Sequence, residues 1–375
     1  MIELEKIRSL FPVTRNLVYL NNAAVAPLPL SATEAINEYL ADIGDFGSTH
    51  DSKWLKEVER VREQCAALMN ADQSEIAFLK NPLSAIHIVV KGIGLKEKSN
   101  VVTADVEFPA NVYPWMSMVP KGVEVKFVGA RGGRIEPEDV DKAIDSRTRI
   151  LAISLVEFGS GYHCSLEELK AICVRRGVYF FLDASHGLGS VPFDVRECGA
   201  DFVMVGAHKW LLGLRGTGIF YCRSGMIEKM EYDVSSWRSF ANDGDCSGAR
   251  PDAGKDARRF EAERPSFPNI LGLGGSLRLR EKFGNPMICT RIRTLADRLM
   301  DSLEQRGYVV KSPLQQRERS GIVAFSHPAI DAKEISARLK KAGIIVTARN
   351  NVIRASPHFY NSEDEIDFLL SELPQ

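Results

Sequence analysis

The sequence lacks the features that mark secreted, membrane-spanning and nucleic-acid-binding proteins. Its formal net charge is only −1 at pH 7, which removes the electrostatic reason to expect nucleic acid or an anionic membrane as a partner. The amino terminus, Met1–Lys6, has neither the basic nor the apolar region of a signal peptide. Apolar runs such as Ile150–Ile153 are far shorter than a membrane span. We therefore expect a cytoplasmic protein whose partner is a small molecule.

Cysteine and histidine are too few, and too irregularly spaced, for two further kinds of site. The seven cysteines are odd in number and contain no Cys-x-x-Cys pair, which argues against a disulfide framework and against a zinc site. The seven histidines show no metal-ligand spacing, so we expect no metal. The run Gly272–Gly275 is similar to a dinucleotide-binding loop, but no convincing strand precedes it, and we discount it.

What is present is a regular alternation of strand-like and helix-like segments in the first two thirds of the chain. With 375 residues, two domains are expected, and we place the boundary at residues 257/258. Ser165–Arg176 reads as a helix that starts with a capping box, Ser165 with Glu168. The alternation predicts an α/β fold with a mostly parallel sheet covered on both faces, followed by a small α+β domain. The predicted strands of the sheet are Ile76–Leu79, Asn100–Ala104, Glu124–Val128, Ile150–Leu155, Val178–Leu182, Phe202–Val205 and Ile219–Cys222.

Two of these strands each deliver a reactive side chain at their end. Asp183 follows Val178–Leu182 directly, and Lys209 follows Phe202–Val205 after a short turn. If the two strands are parallel neighbours, both side chains emerge at the carboxyl edge of the sheet, where open α/β sheets bind ligands. An amine facing an acid across such a crevice is the arrangement that pyridoxal phosphate requires. The sequence thus predicts Lys209 as a Schiff-base lysine and Asp183 as the partner of the pyridine nitrogen.

The surrounding residues extend this pattern to a known family. The segments Asp183–Gly187 and Gly206–Gly218 together make the sequence resemble the class V aminotransferase family, which includes the cysteine desulfurases, kynureninase and isopenicillin N epimerase. The resemblance implies the fold of the fold type I pyridoxal phosphate enzymes and a homodimer. It also implies a small domain that combines residues 1–15 with 258–375, beside a large domain of residues 16–257. In this family His186 would bond the phenolic oxygen of the cofactor, and His208 would help to bind its phosphate.

Other cofactor contacts follow from the resemblance, with two departures. Phe108 is placed to stack on the cofactor ring. Backbone N–H groups at a helix start are suited to phosphate, and Leu83 and Ser84 stand there, although relatives carry Thr or Ser where this chain has Pro82 and Leu83. Relatives also place Gly-Thr or Gly-Ser near Glu263-Arg264, where a phosphate contact crosses the dimer interface. We expect Arg264 to replace it as a charged donor, or the contact to be lost.

Four residues are predicted to face the substrate. Arg354 matches the family arginine that grips the α-carboxylate, for which a planar guanidinium is suited. Asn22 lies in the amino-terminal segment that borders the site. Tyr113 would line the pocket. Glu157 stands where relatives place a polar residue over the substrate, and its carboxylate would reject acidic substrates or recognise an extra amine.

The sequence leaves the type of reaction open. Cysteine desulfurases use a nucleophilic cysteine shortly before the carboxylate-binding arginine, yet no cysteine lies between Gly321 and Arg354. A lyase that needs no such thiol is favoured, acting through a Cα carbanion on a sulfur-bearing or related amino acid. Transamination to a 2-oxo acid comes next, then epimerisation. A catalytically inactive scaffold is the non-enzymatic alternative.

Overall fold

The computed structural model describes residues 4–231, 254–261, 264 and 266–374. The long loop predicted over residues 242–255 lies outside the described residues except at its last two positions, and so does Glu263. In chain order, the helices of the described part are α1 (Leu4–Arg8), α2 (Leu30–Phe46), α3 (Asp51–Met69), α4 (Pro82–Gly92), α5 (Tyr113–Met116), α6 (Pro137–Ala143), α7 (Leu166–Arg176), α8 (Val195–Cys198), α9 (Ser224–Ile227), α10 (Phe267–Phe283), α11 (Asn285–Gln305), α12 (Ala332–Lys341) and α13 (Glu363–Glu372). The strands are β1 (Val18–Tyr19), β2 (Ile76–Leu79), β3 (Asn100–Ala104), β4 (Glu124–Val128), β5 (Thr148–Ser154), β6 (Tyr179–Asp183), β7 (Phe202–Gly206), β8 (Gly218–Cys222), β9 (Val309–Val310), β10 (Val323–Ser326), β11 (Ile344–Ile345), β12 (Thr347–Arg349) and β13 (Val352–Ala355).

Seven strands form the central sheet in the order β2-β8-β7-β6-β5-β3-β4. Strand β8 runs antiparallel to both of its neighbours, while the other adjacent pairs run parallel. Successive residues of β7 enter different apolar clusters, Val203 and Val205 on one face and Phe202 and Met204 on the other. Both faces are therefore covered, which explains why the strand reads as a continuous apolar run. The prediction of a mostly parallel α/β sheet is confirmed.

The predicted strand positions agree closely with the observed ones. The bounds of β2, β3 and β4 are those expected, and β5 to β8 differ by one or two residues. The capping box predicted for α7 is wrong: Ser165 occupies the N-cap position, but its side chain makes no capping hydrogen bond. Glu168, the other member of the predicted pair, is exposed to solvent.

The carboxyl-terminal part forms a second, four-stranded sheet in the order β12-β13-β10-β9. Its apolar cluster joins residues of α11, α12 and α13 with Leu20 from the amino-terminal arm, which we define as residues 18–26. The arm is held there by the parallel pairing of β1 with β11 and by a bridge between Asn21 and Ser356. The exact division into domains at residues 15/16 and 257/258 stays a prediction.

The discounted glycine run lies inside α10 and serves packing. A Cβ atom on Gly275 would stand 2.3 Å from the backbone oxygen of Ser31, at the contact of α10 with α2. In the part of the chain that is described, no helix has both the length and the apolar character needed to cross a membrane. The same residues contain no cluster of His, Cys, Asp and Glu that is suited to a metal ion.

Candidate active site

The turns that follow β6 and β7 lie side by side at the carboxyl edge of the central sheet. Asp183 is the last residue of β6 and pairs in register with Met204 of the parallel strand β7. The backbone N–H of Gly206 donates to Ser185 Oγ at 3.0 Å, so the two turns are bonded to each other directly. Asp183 and the Lys209 turn therefore meet at this edge, as the sequence predicted.

Lys209 and His186 are in direct contact. The Nζ atom of Lys209 lies 2.8 Å from Nε2 of His186. Burial lowers the pKa of Lys209 to about 8, against the charge of Asp183, which favours the ammonium form. Burial, helped by the charge of Lys209, holds the pKa of His186 well below its usual range. A neutral imidazole thus accepts a hydrogen bond from an amine that loses its proton unusually easily.

This group of side chains leaves polar atoms suited to a pyridine cofactor. Burial raises the pKa of Asp183, while the charge of Lys209 and a hydrogen bond from Ser185 act in the opposite direction. Its Oδ1 accepts the backbone N–H of Ser185 at 2.8 Å. The Nδ1 atom of His186 is buried without a hydrogen-bond partner. These three groups fit a pyridoxal cofactor. The carboxyl group of Asp183 suits the pyridine nitrogen, the amine of Lys209 suits the aldehyde, and the free ring nitrogen of His186 suits the phenolic oxygen.

His208 lies next to the start of α4. A Cβ atom on Gly206 would contact both the His208 ring, at 3.1 Å, and the Pro82 ring, at 3.2 Å, which brings the predicted phosphate-binding parts together. Burial lowers the pKa of His208 to about 4, so its ring is a neutral hydrogen-bond donor. The N–H of Ser84 already donates to the capping side chain of Asn81 at 3.0 Å. Phosphate contacts from Leu83 and Ser84 stay a prediction, and Asn81 competes for one of them.

Phe158 joins the residues on the other side of the site. Its ring meets the ring of Phe108 edge to face at 5.2 Å, and its carbonyl oxygen accepts a hydrogen bond from Arg354 Nη1 at 2.6 Å. Burial lowers the pKa of Arg354 to about 10, and the carboxylate of Glu157 partly offsets this. Both oxygens of Glu157 accept backbone N–H groups, from Gly159 and Ser160. Glu157 is therefore turned towards its own loop, which weakens the prediction that it contacts the substrate.

A buried carboxylate, which the sequence analysis did not single out, fixes the segment that carries Phe108. Glu107 accepts hydrogen bonds from the N–H and hydroxyl of Ser154 and from the side-chain amide of Asn111. Burial raises its pKa to about 7. Ser154 is the register partner of Asp183, so Glu107 connects the stacking segment to the strand beside the predicted cofactor acid.

Arg280 on α10 is a second residue that no sequence pattern marks as part of the site. Its guanidinium is almost fully buried and donates to the carbonyl oxygens of Trp210, at 3.0 Å, and Gly189, at 2.8 Å. These carbonyls belong to the turns that carry Lys209 and His186. Arg280 thus ties the two reactive turns to the same helix, and burial lowers its pKa to about 10.

Three of the predicted site residues have other surroundings in the structure. Asn22 is fully buried, donates to Ser356 O at 2.8 Å and accepts from the Tyr360 hydroxyl at 2.8 Å. Tyr113 is 66% exposed at the start of α5. Arg264 is exposed and bonds Asp51 at 2.8 Å within the same chain. Contacts of these residues with substrate or with the cofactor phosphate stay predictions.

A cavity of about 610 Å³ adjoins the Lys209 turn on the side of the amino-terminal arm. The arm contributes Tyr19 and Ala26, and the turn after Lys209 contributes Leu214 and Arg215. The N–H of Ala26 donates to the carbonyl oxygen of His208, which connects the cavity wall to the reactive turn. None of the residues predicted to bind cofactor or substrate lines this cavity, so its volume does not describe the candidate site itself.

Comparison with known proteins places this geometry in context. The model of the aminotransferase class-V family matches residues 18–369. A probable cysteine desulfurase of Methanothermobacter thermautotrophicus is 28% identical, covering 97% of this chain and 96% of the relative. The uncharacterized aminotransferase YcbU of Bacillus subtilis is 27% identical over 98% of this chain and 97% of its own. The solved structure of the cystine C–S lyase C-DES, in complex with cysteine persulfide, is similar in fold, with a TM-score of 0.88 at 22% identity over 96% of this chain and 98% of that one.

Proposed function

The chain belongs to the aminotransferase class-V family, and from this premise we propose that it is a lyase that cleaves the Cβ–S bond of a sulfur-bearing α-amino acid. As a member of this family it is an enzyme whose cofactor is pyridoxal phosphate. The observation that carries the proposal is the contact of Lys209 Nζ with His186 Nε2 at 2.8 Å, beside Asp183. A buried amine of lowered pKa is the group that both cofactor attachment and Cα proton removal need.

The side chains divide the steps of the proposed reaction among them. When bound, pyridoxal phosphate supplies an electron sink for the bond that breaks at Cα. Asp183 keeps a proton on the ring nitrogen, and Arg354 holds the substrate α-carboxylate. Lys209 removes the Cα proton, and His186 orients its amine. The ammonium so formed can then protonate the departing sulfur, so Lys209 acts first as base and then as acid.

The position of the cysteines supports a lyase over a persulfide-forming desulfurase. No cysteine lies between Gly321 and Arg354, where the desulfurases carry their nucleophile. The six cysteines in the described residues are all buried, and burial raises the pKa of each thiol. A buried thiol of raised pKa is a poor nucleophile. The cystine C–S lyase shows that this fold hosts cleavage of a carbon–sulfur bond.

Two other reactions share the same first step and stay as alternatives. Transamination is favoured by the aminotransferase name of the relative from Bacillus subtilis. Epimerisation requires only that Cα is reprotonated on its other face. The homodimer is likewise part of the proposal, and sedimentation equilibrium of the purified protein would test it.

The cofactor site is tested by reconstitution. The protein mixed with pyridoxal phosphate should show a visible absorption band that borohydride removes, with the label on the peptide that contains Lys209. Lys209→Ala should lose the band, while the control Lys80→Ala, at an exposed residue, should keep it. A wild-type protein that stays colourless would contradict the proposed site.

The type of reaction is tested by product analysis. With an S-substituted cysteine, a lyase should consume water and release pyruvate, ammonia and the free thiol in equal amounts, without added 2-oxo acid. A transaminase would need a 2-oxo acid and release no ammonia, and an epimerase would yield the other enantiomer. Either of these last two results would contradict the lyase proposal while leaving the cofactor site intact.

A further inference from the structure

The hairpin that carries Arg354 presents a second arginine on the same face. In the antiparallel pair of β12 and β13, Thr347 is opposite Arg354 and Arg349 is opposite Val352. Since side chains two residues apart on a strand share a face, Arg349 and Arg354 are diagonal neighbours. Side chains in this relation are within reach of one another when they are as long as arginine.

Both arginines contact Phe158, which places Arg349 at the mouth of the candidate site. The guanidinium carbon of Arg349 lies 5.2 Å from the centre of the Phe158 ring, in a cation–π arrangement. The backbone carbonyl of Phe158 accepts the hydrogen bond from Arg354, and the rings of Phe158 and Phe108 meet edge to face. Phe158 therefore holds Arg349 next to the residues that are proposed to bind the α-carboxylate and the cofactor ring.

The charge of Arg349 has no ion-pair partner among the described residues. Arg349 is exposed, and no described carboxylate lies within ion-pair distance of it. The nearby carboxylate of Glu157 already accepts two backbone N–H groups. The positive charge of Arg349 acts on Arg354 and lowers its pKa further. An anion between the two guanidinium groups would relieve this repulsion.

We propose that Arg349 binds a second anionic group, carried on the side chain of the substrate. The inference rests on the proposed function, because it takes Arg354 as the site of the α-carboxylate. The substrate class is then an α-amino acid whose side chain ends in a carboxylate. The Phe158 ring lies 5.2 Å from the guanidinium carbon of Arg349, and a planar guanidinium supported by an aromatic ring is suited to bidentate recognition of a carboxylate. This assignment replaces the earlier expectation that Glu157 rejects acidic substrates.

Two thioethers that differ only in charge test the proposal. S-carboxymethyl-L-cysteine carries the second carboxylate, and S-carbamoylmethyl-L-cysteine is its neutral match in size. Each is mixed rapidly with the holoenzyme at a series of concentrations, and its Kd is read from the amplitude of the first change in the visible band, before the compound is cleaved. We expect the wild type to prefer the carboxymethyl compound by about fivefold, as one partly exposed ion pair provides, and the preference to fall as salt is added.

Arg349→Met should abolish this preference, because the variant keeps an apolar stem over Phe158 and loses the charge. Arg349→Lys should restore part of it. Arg149→Met is the matched control: Arg149 is also exposed, with its guanidinium 5.6 Å from the Tyr179 ring, but it lies near the opposite end of β5. The control should keep the wild-type preference.

The outcomes separate this inference from the proposed function. If both thioethers bind but Arg349→Met does not change their ratio, the role of Arg349 is wrong and the amino-acid site stands. If neither thioether perturbs the wild-type band, both proposals are contradicted. The same measurement with L-glutamate and L-cystine shows which kind of second carboxylate is preferred. Tighter binding of L-glutamate indicates a carboxylate directly on the side chain, and tighter binding of L-cystine indicates the carboxylate of a second amino-acid unit.

Discussion

The reactivity of Lys209 follows from a balance between burial and one nearby charge. Removal of the amine from water favours its neutral form, and the carboxylate of Asp183 favours the ammonium form. Burial is the larger effect, so the pKa falls from its ordinary value of 10.5 to about 8. With a pKa of about 8, a substantial fraction of the Lys209 amine is uncharged near this pH. The uncharged amine can act as a nucleophile and as a base without a separate group to remove its proton.

This balance predicts the pH dependence of labelling in the cofactor-free protein. Acetic anhydride reacts only with the neutral amine, so labelling of Lys209 should rise with pH around a midpoint near 8. Asp183→Asn should move the midpoint to lower pH, since it removes the charge that favours the ammonium form. Mass spectrometry of the Lys209 peptide measures both. A midpoint near 10.5 in the wild type would show that the amine is not desolvated.

The residues that bear chemistry were predictable to different degrees. Asp183 and Lys209 were predicted because each follows a strand, directly or after a short turn, and His186 was predicted from the family resemblance. The structure brings Lys209 and His186 into contact at the end of β6 and β7. The role of Arg280 could not be predicted from the local sequence. Its burial depends on hydrogen bonds to the carbonyl oxygens of Trp210 and Gly189, which are distant along the chain. Arg349 reads as an ordinary surface arginine until the register of β12 and β13 places it beside Arg354.

At the scale of elements, strands were easier to locate than helix ends. Buried strands such as β7 are continuous apolar runs, which local sequence defines well. The start of α7 was misjudged in detail, because whether the hydroxyl of Ser165 bonds the backbone depends on its rotamer rather than on spacing. The role of the glycines in α10 depends on how closely α2 approaches, which no local pattern reveals.

Two helical glycines should therefore respond oppositely to replacement by alanine. Gly275→Ala forces a methyl group against the backbone of α2 and should lower the free energy of unfolding by about 2 kcal/mol or more. Gly44→Ala, within α2, meets no atom within 4 Å and should raise it by roughly 0.5–1 kcal/mol. Urea denaturation measures both changes. Equal effects of the two substitutions would argue against the close contact of α10 with α2.

At the scale of the whole molecule, the two ends of the chain meet beside the site. Asn22 bonds the carbonyl of Ser356 and the hydroxyl of Tyr360, and Ala23 N–H donates to Ser356 Oγ. The family resemblance implied that residues 1–15 join the small domain, and the contacts of Asn22 and Ala23 lie beyond that range. No periodicity in the sequence connects such distant segments. The individual bonds of Asn22 could not be read from the sequence at all.

Asn22→Ala tests whether this residue holds the arm or contacts the substrate. The substitution leaves buried partners unsatisfied and should lower the free energy of unfolding by about 2 kcal/mol, measured in urea. The control Asn16→Ala, at an exposed residue, should change it by less than about 0.5 kcal/mol. A rise in KM with unchanged stability would instead favour direct contact with the substrate.

The contact between the amino-terminal arm and the small domain also determines which parts of the protein can fold first while the chain is being synthesised. The residues joined by the Asn22–Ser356 bond are 334 positions apart, and β1 finds its partner only in β11. A ribosome releases the amino-terminal segment first, so the arm must wait without its neighbours while the central sheet forms. Closure of so long a loop comes late and is intrinsically slow. The nascent chain therefore contains the Lys209 turn well before Arg354, so the residues proposed to bind the cofactor are synthesised before the arginine proposed to bind the substrate carboxylate.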